Sequence, residues 1–420
     1  MSESTYATID QPDSALRPED LVARARSLRE HLRQEQDATD ERGTYSPETH
    51  ELFRSAGFYR TLLPRRFGGY EFDIPTFLRV MVEVARGCPG SGWNLCLASG
   101  HAIQLAGIFE ESAQERAAAD GNFAAPFRPM LTGTATRVEG QGWRIEGKWE
   151  YCSGSPYSTH AMVGVRLMDN GTQAGEGLAL LPRDGWILLD DWRERAFGMR
   201  GSGSNSITTA DGGTVIPDDF LLQGRLREFK GGRDTAGYRV HGNPMYAGKP
   251  DGYLQLEIVS VIVGCAYAAL DEYERIIRTK KSVGSQPVPR FHTQQYQRYW
   301  GLAAGKIRAA EDILMHMAEH YMRLCQEAVD DTTPQDVKDD AERVMVIAVA
   351  THHAVELAWE AVELMFRTSG TSEGGRNGTR MQRYYRDMST ARTNAGLQYE
   401  TFAHMFAQLH FGLPVVDSFV

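Results

Sequence analysis

The chain has 420 residues, 42% hydrophobic and 24% charged, with 55 acidic against 45 basic side chains and a net charge of −10. That length exceeds what one hydrophobic core usually organises, and the composition excludes collagen-like, rod-like and disordered chains. The negative charge disfavours nonspecific nucleic-acid binding, and no apolar run approaches the ~18–20 residues of a membrane span.

Helices are predicted first. Residues 18–37 place Leu21, Ala25, Leu28 and Leu32 on one stripe. Ser46-Pro47-Glu48 supplies a capping hydroxyl and a first-turn proline for a short helix ended by Gly57. The pair Gly68-Gly69 marks a turn over 67–71. Segments 74–87 and 92–108 read as helices, the second apolar enough to be buried.

At about residue 122 the period changes. Segments 134–139, 143–151, 160–167, 176–182 and 205–216 are short and rich in β-branched or aromatic residues. Gly140, Gly142, Asn170-Gly171 and Asp184-Gly185 punctuate them, which predicts a small antiparallel sheet. Long helical stretches follow over 254–281, 292–328, 335–369 and 379–410, the lengths expected of a four-helix bundle. Gly301, Ala303, Ala304 and Gly305 thin one face for close helix packing. The fold expected is mainly α with a middle β domain: 1–121 helical, 122–235 β and 236–420 bundle.

Cys88, Cys96, Cys152, Cys265 and Cys325 form no CxxC pair. With a polar, acidic N-terminus unlike a secretory or transit peptide, they predict a reduced, cytoplasmic protein without disulfides or structural zinc. His316 and His320 fit a zinc-binding spacing but fall on the polar flank of their helix, with no third ligand signalled. Adjacent His352 and His353 cannot share a helix face. Residues 242–249 have the wrong spacing for a phosphate loop, and 198–204 lack the third glycine of a dinucleotide fingerprint. No metal site is expected.

Six segments carry a resemblance when read in order: ELFRSAGFYRTLLPRRFGGYEFD, GCPGSGWNLCLASGHAIQLAGIF, GWRIEGKWEYCSGS, FGMRGSGSNSITTADGGTVIPDD, VGCAYAALDEYERIIR and ELMFRTSGTS with MQRYYRDM. Together they resemble the acyl-CoA dehydrogenase superfamily from about residue 20 to the C-terminus. More closely, they resemble the oxygenase components of its two-component flavin-dependent monooxygenases, which hydroxylate phenols. The resemblance implies a helical N-terminal domain, a middle β domain and a C-terminal four-helix bundle, assembled as a homotetramer. It also implies reduced FMN or FAD delivered by a separate NAD(P)H:flavin reductase, and reaction with O2 through a C4a-hydroperoxyflavin. The substrate would be a small molecule, phenolic, heteroaromatic or an amine; neither nucleic acid nor membrane is an expected partner.

The resemblance also assigns residues. Ser153, in WEYCSG, falls where the superfamily places a hydroxyl beside flavin N5, with Cys152 as its neighbour; a strand-end turn serine is the plain alternative. Arg200, Ser202 and Ser204 lie in GMRGSGS, whose amides and hydroxyls suit a flavin's polar edge. Thr371, in TSGTS, and Arg386 fall where the superfamily reaches flavin across a subunit boundary, though a connecting turn and a structural Arg386–Asp387 pair explain them equally. His101 lies in an apolar stretch where a polar side chain must find a partner. In the phenol hydroxylases a histidine there helps deprotonate the substrate hydroxyl, which suits a group titrating near neutrality. Trp93, Phe123 and Phe127 are substrate-pocket candidates or aromatic core.

Two departures stand out. Asn394 occupies a catalytic position where the phenol hydroxylases commonly carry histidine, and it cannot shuttle protons near pH 7. Residues 122–126 read Asn-Phe-Ala-Ala-Pro where serines are usual. Two other readings compete. An acyl-CoA dehydrogenase needs a carboxylate base, but none lies between Asp387 and Glu400, which leaves Glu257 on another helix. A non-catalytic paralogue is the third, motivated by Asn394.

Overall fold

Caps and prolines start the N-terminal helices as the sequence predicts. The computed structural model describes residues 13–224, 229–248, 250–338 and 340–415, so expectations for 1–12 fall outside the described residues. Ser46 Oγ accepts from the Thr49 amide at 3.1 Å at the start of α4 (Pro47–Ala56), and Asp73 caps α5 (Ile74–Gly87). The stripe over 18–37 is not one helix but three: α1 (Pro18–Ser27), α2 (Arg29–Gln34) and α3 (Gln36–Arg42). Buried Gln36 explains the last bend, because its amide is drawn inward to Gly87 O and Tyr384 Oη, both at 3.1 Å.

The predicted helix 92–108 also divides, into α6 (Pro89–Ser99) and α7 (Ala102–Ile108), followed by α8 (Glu111–Ala118). Gly100 and His101 make the joint. A Cβ at Gly100 would lie 2.4 Å from Tyr253 Oη and 2.8 Å from Glu257 Oε2, so only glycine admits this approach.

Among the described residues nine strands follow: β1 (Phe127–Val138), β2 (Gly142–Glu146), β3 (Lys148–Trp149), β4 (His160–Asp169), β5 (Thr172–Pro182), β6 (Ile187–Leu188), β7 (Ile207–Thr208), β8 (Thr214–Ile216) and β9 (Leu221–Gln223). They form a six-stranded sheet ordered β8-β2-β1-β4-β5-β9 and a three-stranded sheet ordered β3-β7-β6. The pairing is antiparallel except at its centre, where β1 and β4 run parallel from Phe127↔Met162 to Thr136↔Met168. The purely antiparallel expectation fails there because β2, β3 and the turn at Ser155–Tyr157 intervene, and that length returns the chain in the same direction.

After α9 (Ala236–His241) the bundle is built on α10 (Pro250–Thr279), which packs against α5, α6, α11 (Gln294–Val329), α13 (Ala341–Ser369) and α15 (Arg380–Ala391). Over Gly252–Thr279, α10 is long and apolar enough to cross a bilayer, which the sequence reading did not expect; 89% of its most apolar window is buried inside the protein. The short α12 (Gln335–Lys338) precedes α13, so 335–369 is not continuous. Beyond α14 (Thr371–Gly374), the predicted helix 379–410 breaks between α15 and α16 (Tyr399–His410). Within this chain no helix closes on Gly301 or Gly305: a Cβ on either meets no described atom within 4 Å. The contact face of α11 instead runs through Ala303, Ile307, Ala310 and Leu314.

Candidate active site

Helix α6 is the spine of the site, because it presents Trp93 near its start and hands the chain to His101 beyond its end. Trp93 Nε1–H donates to Ser153 Oγ at 3.1 Å. Ser153 Oγ lies 2.7 Å from Ser204 Oγ, which lies 2.7 Å from Ser202 Oγ. Three hydroxyl hydrogens serve two serine–serine bonds, so one O–H donor remains for a ligand. Ser202 and Ser204 are buried and Ser153 is half-buried, which puts the accessible end of the row at Ser153.

Unusual backbone brings these serines together. Tyr151 (φ 61°) and Met199 (φ 52°) are left-handed without being glycine, and Gly154 (φ 88°) follows Ser153. Such geometry persists only where its surroundings hold it. A Cβ at Gly154 would come within 2.8 Å of Ala98 N, which explains why this turn docks so closely on α6. Met199 is held by its amide, which donates to buried Asp387 Oδ1 at 2.6 Å.

One turn beyond Ala98, His101 is 2% exposed, with Nδ1 at 2.7 Å from Ala125 O and Nε2 at 3.2 Å from Glu257 Oε1. Phe127 flanks the imidazole, with ring centroids 5.3 Å apart. Burial disfavours the charged ring, but the Glu257 charge and the hydrogen bonds to Glu257 and the backbone outweigh it and raise the pKa of His101 above the ordinary value. A carbonyl only accepts, so Nδ1 carries a proton; the second proton lies between Nε2 and the carboxylate. The two side chains therefore form a single proton-holding unit. Sequence reasoning offered Glu257 only as a dehydrogenase base; the signal for the pair was one carboxylate among Leu254, Leu256, Ile258 and Val259.

The other expected residues divide. Cys152 is fully buried, its Sγ bonded to Trp149 O at 3.4 Å and its thiol pushed up to about 12 by burial, so it packs rather than facing the serine row. Arg200 turns to Arg193 O at 2.8 Å, within its own loop. Arg386 Nη1 donates to Phe197 O at 3.3 Å, at the root of that loop, and is not paired with Asp387, whose carboxylate serves Met199 instead. Phe123 is buried against His160, with ring centroids 5.5 Å apart, rather than against His101.

Asn394 makes no contact with the serine row or with His101 in this chain. It is exposed, and its Oδ1 caps the turn Ala395–Leu397 by accepting from Gly396 N at 2.8 Å. Thr371 is exposed at the opposite end of α10 from Glu257, beyond Arg275 and Glu373, a separation of about 27 Å by helix rise. Among the described residues no cluster of three metal-ligating side chains exists, and His320 is spent on Arg343 O at 3.2 Å.

The leftover hydroxyl donor, the left-handed loop and the indole behind Ser153 fit the polar edge of an aromatic cofactor such as flavin. The acyl-CoA dehydrogenase N-terminal domain pattern matches residues 19–116, and the acyl-CoA dehydrogenase C-terminal domain pattern matches residues 256–399. The flavin-dependent monooxygenase oxygenase subunit HsaA of Rhodococcus jostii (strain RHA1) is 26% identical over 403 residues, covering 93% of this chain and 97% of that protein. A pigment production hydroxylase of Rhodococcus sp. (strain ATCC 21145) is 28% identical, covering 95% and 98%. In three dimensions, XiaF from Streptomyces sp., in complex with FADH2 and glycerol, superposes with a TM-score of 0.83 at 21% identity, covering 96% and 98%.

Proposed function

The chain belongs to the acyl-CoA dehydrogenase family, and from that premise we propose that it is the oxygenase component of a two-component flavin-dependent monooxygenase acting on a small aromatic substrate. The observation that carries the reading is the arrangement on α6, where Trp93 holds the Ser153–Ser204–Ser202 row and His101, eight residues on, is locked to Glu257. Reduced flavin, supplied by a separate reductase, provides the electrons that activate O2 when it is bound.

The protein's own residues do the rest. Ser153 offers a hydroxyl donor at the accessible end of its row, backed by the indole so that its direction is fixed. Half-buried Phe127 covers buried His101 and keeps water from it, which protects a reactive oxygen species from wasteful breakdown. The proton of the substrate hydroxyl goes to the one free acceptor of the His101–Glu257 pair, Glu257 Oε2, because both ring nitrogens already direct a hydrogen at an acceptor. A phenolate attacks an electrophilic oxygen better than a phenol does, so holding that proton favours hydroxylation.

The test is to mix the protein with reduced FMN, then FAD, and follow flavin absorbance as O2 is admitted. Reoxidation at least tenfold slower than free flavin, with an oxygenated aromatic product, is the expected result. Reoxidation at the free-flavin rate together with no product sinks the proposal. Glu257 alone favours a second reading, an acyl-CoA dehydrogenase with this carboxylate as base. Anaerobic bleaching of oxidised flavin by an acyl-CoA would select it.

A further inference from the structure

A void about the size of one water molecule is lined by Ile103, Gln104, Ile108, Met245, Tyr246 and Tyr253 among others, and Tyr253 links it to Glu257 at Gly100. Its polar side chains are Gln104, Tyr253, Tyr321 and Tyr246, the last already donating to Leu62 O at 2.8 Å. Gln104 is 2% exposed, and neither its Nε2 nor its Oε1 meets a protein partner. Tyr253 is fully buried, and its hydroxyl meets nothing but the nearby charge of Glu257. Glu257 Oε2, the carboxylate oxygen not used by His101, is also unpartnered, and it adjoins the Tyr253 hydroxyl across the bare Cα of Gly100.

Leaving the buried Gln104 amide and the far oxygen of Glu257 without partners is costly unless something bridges them. An anion is excluded by Glu257 and by the apolar walls, and the space is too small for a hydrated cation. We propose that this is a binding site for a neutral hydroxyl group, held between the Gln104 amide and Tyr253 Oη, with Tyr253 passing a hydrogen bond on to Glu257 Oε2. That order pairs Gln104 Nε2, Tyr253 Oη and Glu257 Oε2 and leaves only Gln104 Oε1 without a donor: the hydroxyl accepts from Gln104 Nε2–H and donates to Tyr253 Oη, and the Tyr253 O–H donates to the carboxylate. The row then continues through Glu257 to His101, so the site extends the proton-holding pair by two groups. A water molecule and a hydroxyl carried by the substrate share this chemistry. The substrate source rests on the oxygenase reading; the site itself does not.

Two measurements decide it. The first is thermal unfolding of the full chain without flavin, for wild type, Gln104→Leu and the nearly isosteric Tyr253→Phe. If a hydroxyl is bound, each variant strands the remaining partners and lowers Tm by about 2 °C or more. If the Gln104 amide is simply unpaired, Gln104→Leu removes a cost and Tm rises or stays level, which overturns the proposal whatever Tyr253→Phe does.

The second is anaerobic titration of the protein holding reduced FMN with phenol and with toluene. An increase of about tenfold in Kd for phenol in Tyr253→Phe, with toluene unchanged, places the substrate hydroxyl in the site. Unchanged affinity for both, with the Tm loss present, assigns the site to water. Failure to bind reduced FMN at all would sink the oxygenase reading, while the unfolding result would still decide the hydroxyl site.

Discussion

The main-chain amide of Met199 donates to the Asp387 carboxylate at 2.6 Å, tying the left-handed loop over 198–204 to helix α15 of the bundle. Asp387 is buried, and Arg383, one turn earlier on the same helix, is committed to Asp40 at 3.1 Å and to Asp37. The loop that carries Ser202 and Ser204 is therefore held from outside its own domain.

This anchor makes the first prediction, which concerns pH. Burial, and then the nearby Asp40 charge, push the Asp387 carboxyl up to about 7. A raised carboxyl pKa means that the folded state keeps its proton while the unfolded state loses it near pH 4. Stability from this group therefore falls as pH rises from about 4 to about 7 and is level above. Asp387→Asn keeps an acceptor for Met199 but cannot titrate. Urea unfolding at pH 5 and pH 7.5 should show a smaller pH difference in Asp387→Asn than in wild type; equal differences would refute the assignment.

The second concerns Glu257→Gln. Removing one partner of a buried pair costs about 3–5 kcal/mol. The His101 pKa is raised in the fold, so the stabilisation is fully present below the ordinary histidine value near 6.5 and is lost as pH rises through the higher folded value. The variant should thus be most destabilised relative to wild type at pH 6 and less so in alkali, as read by chemical unfolding across pH.

Ser153→Ala tests the hydroxyl row. The change removes the accessible member and leaves the Trp93 N–H without its acceptor, yet should cost only about 1 kcal/mol in stability. Reduced flavin bound to the variant should reoxidise about tenfold faster or more than in wild type, with product yield falling in step. Stopped-flow absorbance measures the first and product analysis the second. Unchanged kinetics would remove Ser153 from the site.

Gly154→Ala tests the docking of the turn. The residue has φ 88°, and the added Cβ would lie 2.8 Å from Ala98 N and 2.9 Å from Asn94 O, all backbone atoms. Strain plus the clash should cost about 2 kcal/mol or more. Weakened flavin binding should accompany a lower Tm, because Ser153 moves with the turn. A variant with native Tm and flavin affinity would show that the turn has slack.

Much of this protein was legible from the sequence because the signals are local. Periodicity located the helical, β and bundle regions, and Ser46 and Asp73 caps begin their helices through bonds within one turn. Motif order carried the family, and it brought Trp93, Ser153, Ser202, Ser204 and His101 forward as candidates. Tertiary structure decided the rest, for reasons that no local pattern contains. The joint at Gly100–His101 exists because Tyr253 and Glu257, on a helix more than 150 residues away, press against a bare Cα. The parallel pairing of β1 and β4 depends on the whole connection between them. Cys152, beside Ser153 in the chain, is turned to the backbone, and Asn394 closes a surface turn. Residue type and spacing tell what a side chain can do; which acceptor meets each nitrogen of His101 is settled only when distant helices pack.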